Sequence, residues 1–200
     1  MNYFVVADPI KCIGCRTCMI ACVVEHNGED IFYQNPEEIN FNPKLEVVKN
    51  AQVSAPIQCR QCEDAPCAKA CPQDAISRKN NAIIVDQKKC IGCKNCMLAC
   101  PLGAINLNDV ESGCTVDLTN MPNDKLFCIE KMVANKCDLC SGSEKGPACV
   151  RVCPTAAFRI VHEEDLTASI KNKRKCKIKK RHLSCHGILV MLYCTVKHTF

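Results

Sequence analysis

The chain has no tryptophan and only 4% aromatic residues, so the side chains that usually supply most core area are scarce. No acidic residue follows Asp165, and the apolar run at 188–194, ILVMLYC, stops at seven residues. That is far short of the roughly twenty needed to span a membrane. The N-terminal stretch MNYFVVADPIKC has neither a basic segment leading into an apolar one nor a twin arginine. No export signal is expected there, which points to a cytoplasmic protein. A glycine-rich dinucleotide fingerprint and a nucleophile motif are also missing, which argues against substrate chemistry. The expectation is a protein that is not an enzyme.

What the chain does have is cysteine. Twenty-one cysteines account for much of the 48% hydrophobic content in 200 residues. Such a density implies a disulfide scaffold in a short secreted chain, but in a reducing compartment it implies metal binding. Sixteen of the cysteines fall into four blocks. These are KCIGCRTCMIAC (Cys12, Cys15, Cys18, Cys22), CRQCEDAPCAKACP (Cys59, Cys62, Cys67, Cys71), CIGCKNCMLACP (Cys90, Cys93, Cys96, Cys100) and CDLCSGSEKGPACVRVCP (Cys137, Cys140, Cys149, Cys153). The first and third are copies: residues 5–22 and 83–100 match at 10 of 18 positions. Around each copy the pattern reads as strand, cysteine loop, short helix, strand. Gly14 and Gly92 let the backbone curl tightly, and Pro72, Pro101 and Pro154 end three of the helical turns. The segments 75–78, 104–107 and 157–160 read as return strands, with a hairpin turning at Asn80 and Asn81.

Three closely spaced thiolates, a fourth a turn later and then proline is the bacterial ferredoxin signature for [4Fe-4S] ligation. In two-cluster ferredoxins the fourth cysteine of each run ligates the other cluster, so the blocks are expected to work in pairs, with Cys22 crossing away from Cys12, Cys15 and Cys18. Zinc is the rival, since its structural sites also use C-x-x-C pairs. Against zinc, the third cysteine follows too closely in two blocks, and Cys-Pro closes three of the four.

The segments at 7–18, 59–78, 90–105, 135–140 and 146–157 resemble a known family, the four-cluster ferredoxin-type electron-transfer subunits. The likeness is greatest to the iron-sulfur subunits associated with formate dehydrogenase and hydrogenase. The resemblance implies an α+β, loop-rich fold of two nested dicluster-ferredoxin-like units. An inner unit at 50–108 would sit within an outer one formed by 1–49 and 109–165, followed by a basic, poorly ordered tail at 166–200. It further implies four [4Fe-4S] clusters: Cys12, Cys15, Cys18 with Cys153; Cys137, Cys140, Cys149 with Cys22; Cys59, Cys62, Cys67 with Cys100; and Cys90, Cys93, Cys96 with Cys71. The expected function is electron relay between a formate dehydrogenase-like catalytic subunit and a hydrogenase or similar redox protein. The alternative is an accessory protein that matures such enzymes. Nucleic acid is not an expected partner, and membrane contact is expected only through partners or the tail.

The net charge of +5 belongs to that tail, which holds nine of the 26 basic residues and leaves 17 basic against 21 acidic in the body. Glu63, Asp64 and Asp138 read as solvated loop charges. Lys11, Arg16, Lys89, Lys94 and Lys136 either offset cluster charge or are ordinary surface cations. His26 and His162 read as surface or helix-end residues rather than metal ligands. Cys114 and Cys128, in an insert at 107–134 read as a loop ending in a short helix, are taken as free thiols. Cys176, Cys185 and Cys194 have no ligand partners in the pattern.

Overall fold

A computed structural model describes residues 3–35, 37, 39–110 and 131–183. Its elements run β1 (Phe4–Ala7), α1 (Thr17–Asn27), a 3-10 turn (Glu29–Tyr33), β2 (Glu46–Lys49), β3 (Ser54–Ile57), α2 (Pro66–Lys69), β4 (Ile76–Lys79), β5 (Ala82–Val85), α3 (Asn95–Ala99), β6 (Ile105–Val110), β7 (Lys131–Lys136), α4 (Ala148–Arg151), β8 (Phe158–Val161) and α5 (Glu163–Leu183). The strands form four antiparallel pairs, β1 with β8, β2 with β3, β4 with β5 and β6 with β7.

Local chemistry accounts for most of this. Asn80 and Asn81 both adopt positive φ, the backbone a two-residue hairpin needs, and place Lys79 opposite Ala82. The helices α2, α3 and α4 are a single turn because each runs into Cys-Pro. In the first block Val23 stands where the others have proline, so α1 continues for three turns. It stops at Gly28 (φ 92°), whose N–H returns to the Val24 carbonyl at 2.8 Å.

Two apolar cores result, and cysteines are part of both. One gathers Val5, Cys18, Cys22, Leu45, Val47, Ala82, Leu139, Cys149 and Phe158. The other gathers Cys67, Ile76, Ile83, Cys96, Ile105 and Ala134. Helix α1 packs on α4 around the first, and α2 on α3 around the second. The pair β2–β3 runs across the expected unit boundary at 49/50, and the boundary expected at 108/109 falls inside β6.

Two expectations change. The insert was expected to end in a helix, but 131–136 is strand β7, held in register against β6 from Ile105↔Lys136 to Val110↔Lys131. Pairing to a distant strand overrides local propensity here. Cys114 and Cys128 lie outside the described residues. The tail expected to be poorly ordered from residue 166 is helical to Leu183. Its first turn carries Glu163, Glu164 and Asp165, which suit the positive end of a helix dipole, and the Asp165 carboxylate accepts from the His162 N–H at 2.9 Å. No helix among the described residues is long and apolar enough to cross a membrane.

Candidate metal centres

Each cysteine loop carries residues in left-handed backbone conformation at matching places. Arg16 (φ 62°) and Lys94 (φ 67°) follow the second cysteine of the two repeat copies and turn the chain into α1 and α3. After three of the fourth cysteines, Asp74, Gly103 and Ala156 have φ between 46° and 60°. This turns the next N–H back onto sulfur. Ala75 N–H reaches Cys71 Sγ at 3.3 Å, Ala104 reaches Cys100 at 3.4 Å and Ala157 reaches Cys153 at 3.3 Å. The same device is built from other backbone at Cys90 (from Ala134) and Cys59 (from Gln61), both at 3.4 Å. Cys22 lies within α1 and has no such following loop; the Lys44 N–H supplies its donor at 3.4 Å.

The thiols gather across the chain. Cys12, Cys15, Cys18 and Cys153 line one cavity. Cys71, Cys90, Cys93 and Cys96 line another. Burial pushes the Cys18 thiol up to about 11, with Cys15 and Cys12 adding to it. Cys15 itself is lowered, chiefly by the Thr17 hydroxyl 3.4 Å from its sulfur. Burial likewise raises Cys149, and Cys137, Cys140 and Cys22 lie close enough to raise it further. Cys67 is raised by burial and by Cys59 and Cys100, against the pull of Lys136. Cys137 is pushed up to about 12 by burial, with Cys59 and Cys22 contributing.

This donor set fits an iron-sulfur centre. Grouped sulfurs that resist ionisation beside one another are stabilised by a compact cationic core, and backbone N–H groups aimed at sulfur suit thiolate rather than thiol. Gln58, next to Cys59, is 3% exposed, and neither polar atom of its amide has a partner among the described residues. It is a buried donor available to an acceptor at that site.

A family model described as a 4Fe-4S dicluster domain matches residues 51–126. The electron transport protein HydN of Escherichia coli (strain K12) is 44% identical over 176 residues, covering 88% of this chain and 97% of HydN. Formate hydrogenlyase subunit 2 of the same strain is 38% identical, covering 88% of this chain and 89% of that protein. The chain belongs to this family of 4Fe-4S electron transport proteins. The putative oxidoreductase AegA of that strain is 40% identical over 94% of this chain, but the chain spans only 26% of AegA. A unit of this family therefore also occurs within a much longer protein.

Some polar residues around the blocks behave otherwise than their sequence context implies. Asp138 was read as a solvated charge, but its side chain is 17% exposed and pairs with Lys44 Nζ at 2.7 Å and His26 Nε2 at 3.0 Å. Against its burial, these partners hold its carboxyl well below the usual range. His26 lies in the last turn of α1, a helix-end residue as expected, and there Nδ1 faces the Cys22 carbonyl at 2.7 Å while Nε2 faces Asp138. Burial disfavours its charge, yet those two acceptors push it up to about 10, so it donates from both nitrogens. Lys44 serves the Cys22 sulfur with its N–H and Asp138 with its side chain, and nothing in its sequence context marks it for that. His162 matches its surface reading, apart from a ring contact with Tyr3. Glu63 and Asp64 are exposed, the latter beside Lys69.

Proposed function

We propose that the chain is a cytoplasmic electron carrier that relays electrons through four [4Fe-4S] clusters. It would work between a formate dehydrogenase-like oxidoreductase and a hydrogenase or other redox partner. The observation that carries this reading is that Cys12, Cys15, Cys18 and Cys153 line one cavity and Cys71, Cys90, Cys93 and Cys96 another, with backbone N–H groups donating to six cysteine sulfurs among the described residues. The proposed ligand sets are Cys12, Cys15, Cys18 with Cys153; Cys137, Cys140, Cys149 with Cys22; Cys59, Cys62, Cys67 with Cys100; and Cys90, Cys93, Cys96 with Cys71. In this reading β1 on β8 would hold the outer unit and the β4–β5 hairpin the inner one, with Ala82 packing into the first core and Ala134 into the second.

When bound, the clusters supply one-electron redox chemistry at potentials the protein sets within about −700 to +450 mV. The chain's own residues hold them with thiolates, direct N–H groups at sulfur, and exclude water with the two cores. Cys15 and Cys93 are exposed, which suits entry and exit of electrons at those two loops. The name of the electron transport protein HydN supports the carrier role, and that of formate hydrogenlyase subunit 2 supports the choice of partners. Anaerobic purification, metal analysis and dithionite reduction followed by electron paramagnetic resonance test the reading. About sixteen irons per chain and a paramagnetic signal are expected. Colourless protein holding zinc would overturn it.

A further inference from the structure

Among the cations beside the cysteine blocks, Lys136 is set apart by burial. It is 3% exposed, and its ammonium donates to the carbonyls of Ile83 and Cys137, the latter at 2.7 Å. Among the described residues no carboxylate pairs with it. Burying an ammonium without an anion is strongly unfavourable, and two carbonyl dipoles compensate only part of that. The anions within reach are sulfurs. Lys136 holds the carbonyl of Cys137, and the backbone N–H of Gln61 beside it donates to Cys59 Sγ at 3.4 Å; Cys137 and Cys59 belong to different proposed ligand sets.

Gln61 marks the same place. It is also 3% exposed; its Nε2 donates to the Cys137 carbonyl at 2.9 Å, and its Oε1 accepts from the Ile83 N–H at 2.7 Å. Gln61 and Lys136 therefore tie together the same two residues, one from the β4–β5 hairpin and one from the last cysteine block. Gln61 thus bonds to Cys59 Sγ with its backbone and to the Cys137 carbonyl with its side chain, joining the two blocks at this seam.

We infer that Lys136 is a built-in counter-cation between two thiol groups, Cys59, Cys62, Cys67 with Cys100 and Cys137, Cys140, Cys149 with Cys22, and that it raises the reduction potential of the centres they hold. The inference rests on the electron-carrier reading above. An electron crossing the seam oxidises one side by one unit and reduces the other by one, and no proton moves. A fixed positive charge facing both sides favours the reduced form of each, so it keeps the two ends of the hop at similar energy.

The test is redox titration of the anaerobic full-length protein by electron paramagnetic resonance, comparing wild type with Lys136→Met, Lys136→Gln and Lys136→Arg. In Lys136→Met two of the four midpoints are expected to fall. The reduced-to-oxidised ratio of those two centres at fixed potential drops about tenfold, which is 59 mV for one electron. Lys136→Arg should leave all four in place. If Lys136→Met does not assemble, Lys136→Gln is titrated in its stead with the same expectation. Loss of the two seam centres in both neutral variants but not in Lys136→Arg also supports the inference. Unmoved midpoints, an equal fall in all four, or an arginine variant behaving like methionine overturns it. A wild type without clusters sinks the carrier reading itself, which is a different result from a loaded wild type whose neutral variant does not shift.

Discussion

Gly14 and Gly92 occupy the same place in two copies of C-I-G-C, yet their surroundings differ. A Cβ on Gly92 (φ 68°) would lie 2.5 Å from the Met132 carbonyl oxygen, which is backbone and cannot step aside. At Gly14 (φ 70°) it would meet the Ser54 hydroxyl at 2.8 Å, and a side chain can turn away. Gly92→Ala should therefore cost about 2–4 kcal/mol, from left-handed strain plus overpacking. Gly146→Ala, at φ 71° with open space around it, should cost only about 1 kcal/mol. Thermal unfolding of the loaded variants ranks them. Asp138→Asn leaves two cations facing a neutral amide. With side chains near a fifth exposed, the loss should be about 1–3 kcal/mol, read as a shift in denaturant midpoint. The need for glycine inside each loop was legible in the sequence, but Met132 and Ser54, which enforce it, were not. The same holds for Asp138 and Lys136, placed beside cysteines in the chain like any surface charge. Their partners, Lys44, His26 and Ile83, are dozens of residues away and leave no local pattern.

At the level of elements, the most repeated device is the loop after Cys-Pro, in which one left-handed residue swings the following N–H onto sulfur. Gly103 adopts that conformation freely, while Ala156 (φ 47°) does so under strain. Ala156→Gly should relieve it. The net gain is up to about 1 kcal/mol once glycine's greater freedom in the unfolded chain is subtracted, and calorimetry of the loaded protein measures it. Helix α5 is exposed at most of its residues from 163 to 178, so that stretch carries little of the fold. Truncation after Asp165 should change stability by less than about 0.5 kcal/mol and leave the iron content unaltered, as metal analysis would show. The hairpin at Asn80 and Asn81 and the stops at Pro72, Pro101 and Pro154 could be read in advance because their causes lie within a few residues. Strand β7 could not, because its partner lies across the insert, with Val110 opposite Lys131 and Ile105 opposite Lys136. Helix α1 exceeds the short helix expected there because Val23, not proline, follows Cys22 and lets the helix continue.

For the molecule as a whole, Cys18, Cys22, Cys59, Cys67, Cys96 and Cys149 are buried among few large apolar side chains. The binding energy of metal must therefore stand in for much of an ordinary core. Stripping the iron with a chelator under anaerobic conditions should abolish the cooperative unfolding transition and most far-ultraviolet dichroism, and reconstitution should restore both. The pairing of β1 with β8 has a further consequence. Phe4 faces Val161, so the first strand of the chain finds its partner only when nearly all of the folded body has been synthesised. On the ribosome, Cys12, Cys15 and Cys18 emerge first and wait longest, while the groups around Cys67 and Cys96 can close earlier. Maturation would then proceed from the inner strands outward, with the thiols of Cys12, Cys15 and Cys18 left open to oxidation until β8 has been synthesised.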